Sequence, residues 1–234
     1  MELLVDTMVC RLFRNRKRNL FILLGFFALG CSMNKEEKVD SLPFYNSAQF
    51  EAIWIDPKDP SYSKIHRISP FSLKNQLGKT INQDSLRGNI YVANFFFSIC
   101  PSICPKMMGN LESLQDSFIH VPKFKMVSFS VMPWVDSVPI LYKYGMDHHI
   151  DPQKWYLLTG NKDLIYNLGR QSYFAEKGLG LQKSSNQFLH TESMLLIDRE
   201  GRIRGIYNAT QKTDIERATE DIHTLMKEYA HQKV

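Results

Sequence analysis

Read for its alternation of apolar and polar positions, the chain divides at about residue 40. Beyond that point the elements follow one another without repeats or low-complexity stretches. IYVANFFF (90–97) is a run dominated by β-branched and aromatic residues, which predicts a strand covered on both faces. In the segment after it, Met108, Leu111, Leu114 and Phe118 recur at helical spacing. FKMVSFSVM (124–132) predicts a second buried strand, VPILYKYGM (138–146) a helix, WYLLTG (155–160) a short strand and KDLIYNLGRQ another helix. SMLLID (193–198) and RIRGIY (202–207), separated by an REG turn, predict a hairpin, and TDIERATEDIHTLMKEYA an amphipathic closing helix. Upstream, FSLKNQLGKTINQDSLRGN predicts two short strands around a turn at Gly78, and residues 40–66 read as irregular. This order predicts an α/β, thioredoxin-like fold: a central mixed sheet flanked by helices, with an extra N-terminal hairpin.

The first forty residues have a different character. Residues 11–18 carry five basic side chains, and an apolar run of ten residues follows from Leu20 to Leu29. That is half of the roughly 20 residues a membrane-spanning helix needs, so the pattern is that of a secretory signal. Ala-Leu-Gly-Cys at 28–31 resembles the lipobox of bacterial lipoproteins, in which the cysteine is acylated after cleavage. The expected organisation is a signal peptide at 1–30, lipid attachment at Cys31, a polar tether at 31–45 and the folded domain at 46–234. Removing residues 1–31 takes a net +3 out of the chain's formal +5. The basic balance therefore belongs largely to the targeting segment. No basic stripe remains to suggest nucleic acid.

Four cysteines in 234 residues, Cys10, Cys31, Cys100 and Cys104, are too few for a disulfide-stapled scaffold. Cys100 and Cys104 fall where the buried strand ends and the next helix starts, a place where the open end of a helix favours thiolate. Four residues apart, they are expected to be neighbours on one helical face, with Cβ atoms about 5–6 Å apart. Such a pair closes a disulfide only if the backbone adjusts, and it can equally present two thiolates to one soft metal. Pro101 and Pro105 are expected to stiffen the loop and the first turn.

GKTINQDSLRGNIYVANFFFSICPSICPKM resembles the Sco/SenC family of copper-binding, thioredoxin-like assembly factors for cytochrome c oxidase. SVMPWVDSVPILYKY, WYLLTGNKDLIYNLGRQSY and LHTESMLLIDREGRIRGIY agree, so the likeness runs over residues 40–230. It implies that Cys100 and Cys104 are copper ligands and that His190, in the loop before the hairpin, completes the site. Two thiolates and one imidazole suit copper, whereas structural zinc usually takes four ligands. It further implies a metallochaperone that delivers copper to the CuA-bearing subunit of a respiratory oxidase, lipid-anchored in the bacterial cell envelope with its domain outside the cytoplasm. The alternative is a thiol–disulfide oxidoreductase that keeps the oxidase dithiol reduced, working with thioredoxin-like reductants. Against general oxidoreductases stand the CxxxC spacing and the absence of proline from residues 186–194.

The chain also departs from the family pattern. Met132-Pro133 stands where Asp-Pro is usual, Asp136 matches the second acidic position, and Leu189 replaces an acidic neighbour of the histidine. Fewer carboxylates near copper would shift its redox poise. Met107, Met108, the His148-His149 pair, Asp163 and Asp198 read as core, loop, cap and turn residues.

Overall fold

The computed structural model describes residues 41–175 and 191–231, which lie in one compact unit spanning Val39–Val234. Its framework is a seven-stranded mixed sheet in the order β4-β3-β7-β6-β5-β8-β9. The middle consists of β5 (Ile90–Phe96), β6 (Phe124–Ser130) and β7 (Trp155–Thr159), all parallel. Between β5 and β6 runs α2 (Ile103–Phe118), and between β6 and β7 runs α3 (Val138–Asp147). β8 (Ser193–Ile197) lies antiparallel to β5 with Asn94 opposite Met194, and β9 (Ile203–Asn208) completes the predicted hairpin. On the other edge, β3 (Ser72–Asn75) and β4 (Thr80–Asn82) form the predicted antiparallel hairpin, turning at Gly78 with φ +72°. A residue with a Cβ adopts that left-handed backbone only under strain. The expected thioredoxin-like α/β architecture is the one observed.

All seven residues of β5 are buried, because helices cover both faces of the sheet. Ile90, Val92 and Phe96 face α2 and the closing helix α5 (Lys212–His231); Met107, Met108, Leu111, Leu114 and Phe118 of α2 join them. Tyr91, Ala93 and Phe95 face the other layer, with Phe71, Leu86, Ile165, Leu168 and Tyr173. That layer includes the one-turn α1 (Gln83–Leu86) and α4 (Lys162–Asn167), which continues as a π-helical turn over Leu168–Ser172. The continuous apolar run at 90–97 thus alternates between two cores.

Residues 42–66 are more ordered than their composition suggests. They form a two-strand ribbon, β1 (Phe44–Tyr45) with β2 (Ala52–Ile53), followed by a 3₁₀ turn at Pro60–Lys64. What holds them is charge. Arg204 donates to the carbonyls of Leu42 and Pro43 at 2.6 and 3.0 Å and pairs with Glu228 at 2.8 Å. Phe44 lies 4.2 Å from the Arg204 guanidinium and 4.9 Å from that of Arg202. Leu42–Tyr45, expected to belong to the tether, are therefore docked on the domain.

Asp198, expected to be an ordinary turn residue, organises this cluster. Its carboxylate accepts from the backbone N–H groups of Glu200 and Arg202 and pairs with the Arg202 side chain at 2.7 Å. Arg204 adds a longer pairing at 3.7 Å. All three side chains are almost wholly buried.

Candidate metal centre

The site begins where β5 runs out. Residues 97–102 loop away from the sheet, and α2 starts at Ile103. Cys100 is thus a loop residue and Cys104 the second residue of the helix, so the two do not share a helical face as their spacing predicts. They meet because the loop folds back over the helix end, with the Cys100 N–H donating to the Phe97 carbonyl at 3.3 Å. Both thiols are free, and both are buried just under the surface; their neighbour Ile99 is 60% exposed.

A helix leaves its first N–H groups without intrahelical partners. Ser102, the residue in the capping position, makes no side-chain cap here. Instead the backbone N–H groups of Ser102, Ile103 and Cys104 converge on the Cys100 sulfur, which caps the helix in place of an oxygen. Pro105, in the first turn, has no N–H to add to the unpaired ones.

These contacts make the two thiols unequal. Burial pushes the Cys100 thiol up. A hydrogen bond from Cys104 and the three backbone N–H groups outweigh it and hold Cys100 below the ordinary thiol range. The Cys104 thiol is pushed up to about 12, first by burial, then by its hydrogen bond to Cys100 and by the Cys100 and Asp136 charges. Cys100 is thus the more acidic of the two, and the Cys104 thiol is hydrogen-bonded to its sulfur. At pH 7.5, iodoacetamide is therefore expected to alkylate Cys100 at least ~100-fold faster than Cys104, since each unit of pKa changes the thiolate fraction tenfold. The rate at Cys100 should rise with pH and level off below the ordinary thiol pKa. Mass spectrometry of timed digests reads both sites, and equal rates would contradict the assignment.

Asp136 ties the loop down. Fully buried, its carboxylate accepts from the Ser98 N–H at 3.2 Å and from the hydroxyls of Ser98 and Ser130. Its oxygens are engaged by these donors, so it positions the cysteine loop against the turn after β6. Met132 contributes to the same turn through backbone bonds: its carbonyl accepts from Val135 and Asp136. Tyr144 of α3 forms a further wall, its ring 5.5 Å from that of Phe96, and burial followed by the Cys104 charge pushes its phenol up. Ser98, Ser130 and Tyr144 gave no signal in the sequence, because a serine or tyrosine near a motif looks the same whether or not it faces inward.

Other candidates fall where the sequence put them. Met107 and Met108 are wholly buried core, and the Met107 sulfur accepts from Asn94 at 3.8 Å. His148 pairs with Glu112 at 2.7 Å and stacks on Tyr144, so it is a tethered helix-end residue rather than a solvated one. Among the described residues no group of three or more His, Cys, Asp or Glu side chains comes together around a metal position. Nor is any described helix long and apolar enough to cross a membrane. His190, Leu189, Cys10 and Cys31 lie outside the described residues. β8 starts at Ser193, beside the end of β5 that carries the cysteine loop.

A thioredoxin-like sheet with a CxxxC pair capping the helix after its central strand defines a class of dithiol proteins. The SCO1/SenC family model matches residues 60–227, and the chain belongs to that family. It is similar to a SCO1/SenC family lipoprotein of Bacillus anthracis, with 28% identity and a TM-score of 0.60 over 69% of this chain and 95% of the other. It is similar at 27% and 0.59, over 69% and 94%, to BsSco, described as a member of the Sco family of cytochrome c oxidase assembly proteins with a disulfide switch. A third likeness, at 25% and 0.54 over 69% and 98%, is to Arabidopsis thaliana ScoI, solved with copper bound.

Proposed function

We propose that this protein is a copper metallochaperone whose cargo is one copper ion, held by Cys100, Cys104 and His190 and delivered to the CuA site of a respiratory cytochrome c oxidase. The carrying observation is the thiol pair itself: two free cysteines hydrogen-bonded to each other at the start of α2, with Cys100 the more acidic. Two soft sulfur donors with no free carboxylate between them suit copper over magnesium or calcium. Binding would displace the Cys104 proton, so affinity is coupled to pH. An imidazole at His190 adds a third donor. The copper-bound relative and the oxidase-assembly relative support the same assignment. Delivery then proceeds by stepwise exchange of thiolate ligands onto the client's own cysteines.

The targeting pattern at 11–31 supports lipid attachment at Cys31 in the bacterial cell envelope, with the domain outside the cytoplasm and the residues between Cys31 and the docked Leu42 serving as tether. The B. anthracis lipoprotein agrees with this.

A second reading, thiol–disulfide reductase toward the oxidase dithiol, is favoured by the inequality of the thiols. Cys100 would attack as thiolate and Cys104 would resolve the mixed disulfide. His190 separates the two readings. In the chaperone, titration with Cu(I) and with Cu(II) is expected to saturate at one copper per chain, and His190→Ala is expected to weaken binding at least tenfold. In the reductase, His190→Ala leaves oxidase assembly intact while Cys100→Ser abolishes it. Absence of stoichiometric binding, or binding indifferent to His190, would overturn the chaperone assignment.

A further inference from the structure

At the pole of the sheet opposite the cysteines lies a cavity of about 330 Å³. It is a half-open cavity lined by α1, by residues 67–68 and by the turn joining β8 to β9, with Tyr91 of β5 also in its wall. The segments are fastened together by backbone bonds: the Ile68 N–H donates to the Gly201 carbonyl at 2.8 Å and the Gly88 N–H to the Arg199 carbonyl at 3.1 Å.

Among the described residues, two buried side-chain polar atoms have no hydrogen-bond partner: Arg199 Nε and Gln83 Oε1. Both residues line this one cavity. Leaving a buried donor or acceptor unpaired is costly, so two lining a single cavity indicate that a polar occupant belongs there. The Gln83 amide is oriented, because its N–H groups face the Tyr91 hydroxyl, which meets the Tyr173 hydroxyl at 3.2 Å. Arg199 is held in place by its guanidinium stacking on Tyr229 at 4.5 Å.

The charge around the cavity fixes the sign of the occupant. Arg67, Arg87 and Arg199 supply three guanidinium groups. The acidic residues of the wall are already engaged: Asp198 with Arg202 and Arg204, and Glu200 with Arg202 and the Tyr229 hydroxyl. Arg87 pairs on the exposed rim with Asp84, an exchangeable surface contact. An occupant must accept from Arg199 and donate to Gln83.

We propose that this cavity is a binding site for a small oxyanion that keeps one protonated oxygen, the class represented by hydrogenphosphate. Its bare oxygens accept from Arg199 and from the rim guanidinium groups of Arg67 and Arg87, and its hydroxyl donates to Gln83 Oε1. The site is independent of the dithiol, which follows the opposite end of the same strand, on the order of 20 Å away for seven residues of extended chain.

The test is isothermal titration calorimetry of the full chain in detergent at pH 7.5, with inorganic phosphate as probe and sulfate as comparison. One phosphate per chain is expected to bind, with sulfate at least tenfold weaker because it has no proton to donate to Gln83. Arg199→Ala and Arg87→Ala should each weaken phosphate at least tenfold. Arg87 is on the rim, so its replacement keeps the fold even if the Arg199 variant does not. Equal binding of sulfate, unchanged affinity in Arg87→Ala, or no saturable binding because water alone fills the cavity would each overturn the proposal. Copper titration of the same samples reads the dithiol separately, so a failure at one site does not imply failure at the other.

Discussion

Replacing Cys100 or Cys104 by serine is expected to abolish stoichiometric copper binding. The fall should exceed the 10–100-fold that loss of a supporting hydrogen bond typically brings to a metal site. A serine hydroxyl stays protonated at neutral pH and offers a hard oxygen in place of a soft sulfur. The two variants should nevertheless differ in another respect. At position 100 the sulfur also accepts from the backbone N–H groups at the start of α2, and a serine hydroxyl can accept there too, so Cys100→Ser should keep its stability within about 1 kcal/mol. Cys100→Ala removes the acceptor and leaves three N–H groups at the helix start without it, so it should be less stable than the serine variant. Competition with a chromophoric copper chelator reads affinity, and urea unfolding reads stability. Copper binding that survives Cys100→Ser would contradict the assignment of the ligand.

The second large effect concerns the fold. Asp198→Ala is expected to destabilise the domain by about 3 kcal/mol, since Arg202 and Arg204 lose their shared buried carboxylate, keeping only Glu200 and Glu228, and two turn N–H groups lose their acceptor. Domains of this kind are stable by only about 5–15 kcal/mol, so the variant should be unfolded or nearly so at moderate urea. Asp198→Asn keeps an acceptor for the turn N–H groups while losing the charge, and should fall between the two. Urea midpoints measured by circular dichroism decide it. A midpoint for Asp198→Ala equal to that of the parent would mean that Glu200 and Glu228 alone suffice for the two arginines.

The strands and helices of the central sheet were legible because each carries a strong period. Ile90–Phe96 is apolar but for Asn94, and Met108, Leu111, Leu114 and Phe118 mark one helical stripe that is buried as expected. Position along the chain also put the cysteines at the strand–helix junction. Their mutual geometry was not legible, because a four-residue spacing implies a helical face only if both residues are helical, and Cys100 is not. Long-range polar contacts were invisible for a related reason. Asp136 reaches back 38 residues to Ser98, and Arg204 reaches 161 residues to Pro43, and no local pattern encodes either. That distance also explains why residues 42–66 read as irregular: their order comes from arginines on β9.

The inequality of the two thiols bears on both proposed activities. The more acidic Cys100 is the better placed of the two to accept a metal ion or to attack a disulfide, and either event would displace the Cys104 proton. The asymmetry alone therefore does not choose between chaperone and reductase. The third donor does, which places the weight on His190 and on what surrounds the copper ion.

X-ray absorption spectroscopy at the copper edge of the loaded full chain measures that environment directly. Two sulfur scatterers and one imidazole nitrogen are expected in the parent, with the imidazole signal absent in His190→Ala and one sulfur lost in Cys104→Ser. A copper environment without sulfur, or one with a single sulfur in the parent, would contradict the account.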